Sequence, residues 1–585
     1  HDLFGVPDAA EFGDLIDWAR GFDVDDDDGD AITNEPREWI LGDMLHSRPT
    51  AVNYGALGAH TASDPDVRLV VGTNHGFAHM FDASDNNGDE NWAFFPKELA
   101  PVLAKVRENA PNQHPYGVDN SPIIYVDDVD DDGTINAGDG DRAWLYLTLR
   151  RGGDIIYALD ISSPDSPRFM WMIDSSMSDF VELGQTWSAP ATGFIPGYDD
   201  GGSPPEPKPV IIFGAGYDTG KDADIGSPYV VPTDGVGRGI YIVDAQTGAK
   251  IWSVTPGATG GTNLQETRLE HGMVAEPAVM DSNGDRRIDR IYMPDTGGNV
   301  WRVDLGDTDK SNWVISQVAA LSGGTQSTDR RFFNRISVAR TRHFNEAFDS
   351  VALGSGNRAN PMSTDVDDRF YMIQDTRIGL ITPTSPIPSD CAAVPTGVPR
   401  HYPNCATPID NGDLYDVTTN LIQDGADDAA KRTALEDLFD KAGWRMDLQG
   451  GDYSGGTGEK SLSPALTLDG VIWFTTFEPL PADAGLCVPR GGTGYLYAVD
   501  LQDASAVFDF TFNNVINKPD RRVTLFVPSI PDTPAVHFGE DNIIRLLFPS
   551  GGGPIPTQIG NPTDSGAKRI TPKTGGINWY EHEER

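Results

Sequence analysis

Three features predict an all-β chain folded as a modified seven-bladed β-propeller with loop insertions and one short helical insertion. They are a recurring small-or-polar, Pro, apolar unit, glycine-closed strands behind it, and aromatic third strands that mostly end in Asp. The unit recurs as HSRPTAVNY from His46, DNSPIIYV from Asp119, WSAPATGF from Trp187, VAEPAVMD from Val274, SLSPALTLD from Ser461 and PDTPAVHF from Pro531. NRISVAR from Asn334 is a seventh copy without the Pro. Repetition on this scale, with few helices between copies, is the pattern of radial blades, and seven starts predict seven of them.

Along the chain, residues 1–40 read as an entry segment, 41–550 as the propeller and 551–585 as a tail. Second strands close in glycines or a polar turn, as in VVGTNHG, IIFGAGYDTG, YMPDTGG and VALGSGNR. Third strands follow as HMFDAS, IYALDIS, IYIVDAQTG, VWRVDLG, FYMIQDT and LYAVDLQ. Spacing between starts is irregular, so the blades carry insertions. The largest, about 375–460, holds a helix predicted over Asp427–Ala442, with Leu435, Leu438 and Phe439 on one face packed onto the propeller. From Asn513 onward lies a last blade without a clear third strand, which the N-terminal segment is placed to lend. The tail TPKTGGINWYEHEER then reaches out or closes the ring.

Length alone, at 585 residues, suggests about four domains, but the repeats override that prior. Gly 64 and Pro 43 with 38% apolar residues fit many short strands and turns. The balance of 88 acidic against 44 basic residues leaves −44. That excludes nucleic-acid phosphates and anionic lipid as partners, since both require clustered Lys and Arg. Divalent cations are the natural partners, beside a plain role for the charge in solubility or adaptation to salt. No apolar run reaches about 18 residues, so no membrane span is predicted. The chain begins at His1 without a signal peptide, as a mature form or the remainder of a longer precursor. Cys391 and Cys405 flank a Pro-rich stretch where a disulfide would contribute roughly 3 kcal/mol in an oxidising compartment. Cys487 is a third candidate for pairing with either. No CxxCH, CxxC, HExxH or GxSxG occurs, and His46, His75 and His79 read as ordinary hydrogen-bonded residues.

Two loops carry the oxygen spacing of a calcium site. In the first, Asp281, Asn283, Asp285 and Asp289 stand at positions 1, 3, 5 and 9, with the carbonyl of Arg287 at position 7 and Gly284 at the bend. Its flanks are strands, so an ion there would stiffen a β-turn. In the second, Asp128, Asp130, Asp132, the carbonyl of Thr134, Asn136 or a water, and Asp139 follow the 12-residue pattern, with Gly133 at the turn and Ile135 inward. Asp at position 12 is shorter than the usual Glu, which predicts weaker calcium binding or competition by magnesium. The bland alternative for each is a solvated acidic turn. A third run offers Asp23, Asp25 and Asp27 at alternate positions without the sixth-position Gly, and reads equally as solvated charge. DASDNNGDENW from Asp82 reads as an elongated blade turn.

Five stretches in order, WILGDMLHSRPTAVNYG, VVGTNHGFAHMFDAS, DSNGDRRIDRIYMPDTGGNVWRVDL, GEKSLSPALTLDGVIWFTTFEP and GGTGYLYAVD, make the chain similar to the PilY family of type IV pilus biogenesis factors and tip-associated adhesins. The resemblance implies a modified seven-bladed propeller whose calcium loop matches Asp281, Asn283, Asp285, Arg287 and Asp289. It implies a calcium-switched role in pilus extension and retraction, adhesion and twitching motility, outside the cell at the pilus tip. Minor pilins and a host or abiotic surface would be the partners. The resemblance is to the C-terminal propeller type of region; the variable N-terminal portion, which carries a von Willebrand A-type domain in many members, is not matched. The loop Asp128–Asp139 lies outside the matched pattern. A rival reading is an enzyme, because YIVDAQTGAKIW from Tyr241 resembles the blade repeat of pyrroloquinoline-quinone dehydrogenases. Those often carry vicinal cysteines and need a central quinone pocket, whereas no two cysteines are adjacent here, so blade architecture is the preferred reading of the repeat and no enzyme is expected.

Overall fold

The computed structural model describes residues 1–557 apart from 85–87, 112, 223–228, 230, 258–259, 261, 344–345, 383–406, 449–456, 481–490, 526–528, 539–543 and 551–552. Cys391, Cys405, Cys487 and the tail sequence TPKTGGINWYEHEER lie outside the described residues.

Proline lacks an N–H to give a ladder and so stands just ahead of a strand. Pro49, Pro122, Pro190, Pro277 and Pro534 each immediately precede the first strand of a sheet, and Pro464 precedes one by two residues. The first sheet runs Thr50–Asn53, Val67–Gly72, Ala78–Asp82 and Glu90–Phe94. The second runs Ile123–Asp127, Arg142–Thr148, Ile155–Asp160 and Arg168–Asp174. The third runs Ala191–Gly193, Val210–Gly214, Ile240–Asp244 and Lys250–Thr255, with Asn263–Gln265 added in parallel. The fourth runs Ala278–Met280, Arg290–Pro294, Asn299–Asp304 and Val314–Ala320. The fifth runs Ser337–His343, Glu346–Gly354, Arg369–Asp375 and Gly443–Asp447, with Tyr415–Asp416 at its edge. The sixth runs Leu466–Leu468, Val471–Pro479, Gly492–Asp500 and Arg522–Leu525. The seventh has three strands, Ala535–Phe538, Ile544–Ser550 and Gly553–Thr557.

Each sheet pairs its consecutive strands antiparallel, so the hairpins joining strands one to two and three to four fall at one end of the sheet. The links from strand two to three, and from sheet to sheet, fall at the other. Successive sheets bury both faces. Leu145 and Leu147 join the core shared with the first sheet, while Trp144 and Tyr146, on the opposite pleat, join the core shared with the third. The third sheet in turn packs Ile212, Ile242 and Trp252 against Met293, Trp301 and Trp313 of the fourth sheet and its surroundings. Two-faced burial explains why these strands are continuously apolar and not alternating.

Third strands end in Asp because that carboxylate folds the turn. Asp82, Asp160, Asp244, Asp375 and Asp500 each accept a hydrogen bond from the backbone N–H two residues on. The second strands of the first, third and fifth sheets end in Gly because the next sheet enters there. A Cβ on Gly72 would lie 2.3 Å from the Val118 carbonyl, on Gly214 2.3 Å from that of Met273, and on Gly354 2.3 Å from Cβ of Ser461.

The structure departs from the sequence expectations in two places. The seventh sheet takes its third strand from Gly553–Thr557, in the stretch read as tail, and not from the N-terminus. The entry segment instead forms a helix, Ala9–Ala19, capped by Asp8, whose Leu15 and Trp18 pack with Leu103 of a second helix, Ala100–Glu108. The chain therefore has helices beyond the one expected. That one is Asp428–Phe439, capped by the Asp427 carboxylate, with Leu438 buried and Leu435 packed on the core of the fifth and sixth sheets.

Adding a methyl at the inter-sheet joint should lower stability by about 1–3 kcal/mol through overpacking. Gly214→Ala should therefore lower the thermal midpoint clearly, whereas Gly324→Ala, where an added Cβ meets nothing within 4 Å, should not.

Candidate metal centre

Both calcium-type loops are hairpins between the first and second strands of a sheet, the second sheet for 128–141 and the fourth for 281–289, so they share one end of the propeller. Both use the same device to reach the preceding sheet. Ile135 and Ile288 are buried, and their N–H groups donate to the carbonyls of Tyr54 (3.1 Å) and Phe194 (2.7 Å), just past the first strands of the first and third sheets.

In the loop of the second sheet, oxygens of Asp128, Asp130 and Asp132 all lie within 4.8 Å of one another. Asp128 accepts from the N–H groups of Asp132 (3.3 Å) and Gly133 (2.8 Å), and Asp132 from that of Thr134 (2.7 Å). Lost hydration and the charges of Asp132, Asp141 and Asp128 push the Asp130 carboxyl above its ordinary range. Asp139 lies outside this trio, taking the side-chain amide of Asn136 at 2.7 Å, while the Asn136 oxygen accepts from Gly138 N–H. The carboxylate that closes the loop is Asp141, buried and accepting from the N–H groups of Val129 (2.8 Å) and Asn136 (3.0 Å). Sequence reasoning missed it because it lies past the twelfth position; its place directly before strand Arg142–Thr148 was the available signal.

The loop of the fourth sheet holds its donors differently. Asp281 accepts from the N–H groups of Asn283, Gly284, Asp285 and Arg286, and Asp285 from that of Arg287. Asp289 is fully buried, with both oxygens on Ser282, and burial raises its carboxyl. Among the described residues Asp281, Asp285 and Asp289 do not form a three-carboxylate cluster, because the first and last are turned onto loop partners. The residues at Asp128–Asp132 therefore fit a cation as they stand, whereas those at Asp281–Asp289 offer the right donors in sequence but with Asp289 engaged. Behind this loop lies a buried ion network joining the fourth and fifth sheets. Arg302 binds Asp304 (2.7 and 2.9 Å) and Asp375 (2.9 Å), Arg290 binds Asp349, and Arg340 binds both Asp349 (2.8 Å) and the Ser282 carbonyl (2.9 Å). Burial alone would raise Asp375, but the Arg302 and Arg377 guanidiniums hold it well below the usual carboxylate range.

In the N-terminal run the alternating trio does not assemble. Asp25 pairs with Arg107 at 2.7 Å, and Asp27 donates its N–H to Asp23, while the converging groups are Asp23, Asp28 and Glu35, and Asp26, Asp28 and Asp30. The hairpin Ile240–Asp244 to Lys250–Thr255, which prompted the enzyme reading, is built as a turn on Asp244, which accepts from the N–H groups of Gln246 and Thr247. His46 binds Asp119 at 2.8 Å, and His79 faces Glu90 at 3.4 Å. At the opposite end of the sheets, links between second and third strands and between sheets line a pocket of about 500 Å³ that includes Arg151, Lys221, Asp329, Arg331, Asp368 and Lys460. Sequence reasoning missed it, since it assembles from links far apart in the chain. Burial pushes the Asp368 carboxyl up to about 6, against a Ser355 hydroxyl at 2.6 Å.

Residues 45–327 match the family model described as PilY1 beta-propeller domain. A type IV pilus biogenesis factor PilY1 homolog of Xylella fastidiosa is 24% identical over 574 residues, 91% of this chain and 34% of that protein. The type IV pilus biogenesis factor PilY1 of Pseudomonas aeruginosa UCBPP-PA14 is 27% identical over 294 residues, 46% of this chain and 21% of that protein. The chain thus spans about a third or less of the length of these relatives. The crystal structure of the Pseudomonas aeruginosa PilY1 C-terminal domain aligns with a TM-score of 0.53 at 18% identity, over 84% of this chain and 93% of that one, which supports the propeller fold. The family resemblance read from the residues and the propeller reading both stand.

Two outcomes follow from the site geometry. Asp141→Ala strands two backbone N–H groups and should cost about 1–3 kcal/mol in denaturant melts, while Asp139→Ala at the exposed turn should stay within about 0.5 kcal/mol of wild type. Asp368 binds its proton more tightly folded than unfolded, so its contribution is full below pH 4 and is lost as pH rises through about 6. Asp368→Asn should therefore raise the thermal midpoint at pH 7.5 and lose that advantage at pH 4.

Proposed function

We propose that this PilY1-type propeller is a calcium-binding, non-enzymatic part of a type IV pilus biogenesis factor. It acts outside the cell at the pilus tip, where it supports extension and retraction, adhesion to a host or abiotic surface, and twitching motility. The observation that carries the reading is the PilY1 propeller match over residues 45–327, joined to two cation-type loops at one end of that propeller.

Calcium would be held by Asp128, Asp130, Asp132, the Thr134 carbonyl, Asn136 and Asp139 in one loop, and by Asp281, Asn283, Asp285, the Arg287 carbonyl and Asp289 in the other. When bound it supplies positive charge that offsets the repulsion among these carboxylates. The chain's own residues set what ordering of the loops means. Ile135 and Ile288 tie each loop to the preceding sheet, and Arg340 ties Ser282 to Asp349, so an ordered loop and an ordered sheet end go together. A minor pilin docking on that end would meet two loops whose shape depends on the cation, which gives calcium-dependent binding. Extracellular sites of this class bind at about 0.1–1 mM, which suits a sensor of external calcium.

Calorimetric calcium titration of wild type, Asp130→Ala and Asp285→Ala tests the sites: each variant should lose one set of heats, and equal heats in all three would sink the assignment. In cells, loss of the protein should reduce surface pili and twitching, and Asp285→Ala should alter both in a calcium-dependent manner. Normal piliation together with quinone-linked dye reduction by the purified chain would favour the enzyme reading instead.

A further inference from the structure

In a chain with twice as many acidic as basic residues, a guanidinium that hydrogen-bonds no carboxylate calls for an explanation. Two such groups lie at the pocket end of the propeller. Arg150 occupies the turn between the second and third strands of the second sheet, and Arg358 the corresponding link of the fifth. Among the described residues neither side chain donates a hydrogen bond, and Nε of Arg150 and Nη1 of Arg358 are buried without a partner. Leaving a buried donor unmet costs on the order of 1–3 kcal/mol, more where the group is charged.

Arg150 is also held in the left-handed region, at φ 51, which costs a non-glycine residue roughly 1–3 kcal/mol. Its guanidinium lies 4.3 Å over the Trp187 ring. Its nearest carboxylate is Asp119 at 4.0 Å, whose oxygens are already taken by His46. The cations facing this spot are Arg48, Arg150, Arg151 and Arg358; the acids are Asp119, Asp532, paired with Arg48, and Asp222, paired with Arg151. One positive charge is left over. Burial lowers both guanidiniums, Arg150 to about 9, and for Arg150 the charge of Arg358 adds to it. Their chain neighbours Arg151, Asn357 and Ala359 line the pocket of about 500 Å³, and Arg151 donates to the Ala359 carbonyl at 3.4 Å, which brings the two turns together beside it. A purely structural role accounts for the stacking of Arg150 on Trp187 but leaves Arg358 without a reason.

We propose that Arg150 and Arg358 form a binding site for a small oxyanion, a carboxylate or phosphate group, at the end of the propeller opposite the acidic loops. An oxyanion between two guanidiniums accepts from both, in the charge-assisted geometry that arginine favours. It also removes the excess positive charge. The site is independent of the cation loops, whose hairpins lie at the other end of the sheets.

Thermal melts and calorimetric titrations of the 585-residue chain test it, with inorganic phosphate and succinate as probes against chloride at equal ionic strength. The expected result is saturable binding and a rise in midpoint with at least one probe, phosphate alone pointing to a phosphate ligand and succinate alone to a carboxylate. Arg358→Gln should weaken that binding about tenfold or more while leaving the midpoint in chloride unchanged or higher, since it removes an unpaired buried charge. Arg150→Gln should weaken it as well; should that variant not fold, Arg358→Gln alone decides. Two results would overturn the proposal: no saturable binding of either probe, or a midpoint rise that is unsaturated and equal in wild type and Arg358→Gln, as general exclusion of phosphate from the surface would give.

Discussion

Everything in this molecule depends on how one sheet meets the next. After the first, third and fifth sheets, the segment that enters the next sheet lies across the end of the second strand, close enough that Gly72, Gly214 and Gly354 have no room for a side chain. Backbone hydrogen bonds fix the same joints, from Val118 N–H to Thr73 O, from Gly216 N–H to Met273 O and from Ser461 N–H to Ser355 O. Because these contacts are made by backbone, they set the spacing between sheets whatever side chains fill the core. The core then follows by alternation, each strand giving one pleat face to each neighbour. The ion pair of Arg48 with Asp532 joins the segment entering the first sheet to the one entering the seventh.

This spacing creates two unlike ends. At the hairpin end, acidic loops project from the second and fourth sheets and are stapled backward through Ile135 and Ile288. At the other end, the long links bring Arg151, Lys221, Arg331 and Lys460 together with Asp222, Asp329, Asp365 and Asp368 around a pocket. Strand direction alone thus sets the acidic hairpin loops apart from this pocket. The fourth sheet connects more than its loop. Asp289, at the loop's close, immediately precedes Arg290, whose guanidinium binds Asp349 of the fifth sheet, so a change in the loop acts directly on a buried ion network. Such a network is costly to break on one side only, since the remaining charge has no water to turn to.

The sheets were legible because their signals are local. The Pro ahead of a strand and the Asp that folds the turn after a third strand each do their work within a few residues, so seven starts could be counted from the chain alone. The helix Asp428–Phe439 was legible for the same reason, through one apolar face. The helix Ala9–Ala19 was hidden by the acidic composition around it, and its burial depends on Leu103, far along the chain. The strand Gly553–Thr557 carries two prolines and little β-propensity, so its pairing with Ile544–Ser550 had no signature in the residues. Within the loops, the spacing of Asp128, Asp130 and Asp132 was readable, but the closing role of Asp141 depends on where the strand begins. The turns that carry Arg150 and Arg358 lie about two hundred residues apart, so the site proposed on them had no local trace.

The central claim is that the two hairpin loops are cation sites whose order is transmitted to the sheets behind them. Hydrogen exchange at the amides of Ile135 and Ile288, with and without millimolar calcium, tests it most directly, because each amide bonds across to the preceding sheet. The account predicts slower exchange at both amides when calcium is present, and loss of that protection at Ile135 in Asp130→Ala and at Ile288 in Asp285→Ala. Exchange at both positions that is indifferent to calcium would contradict it.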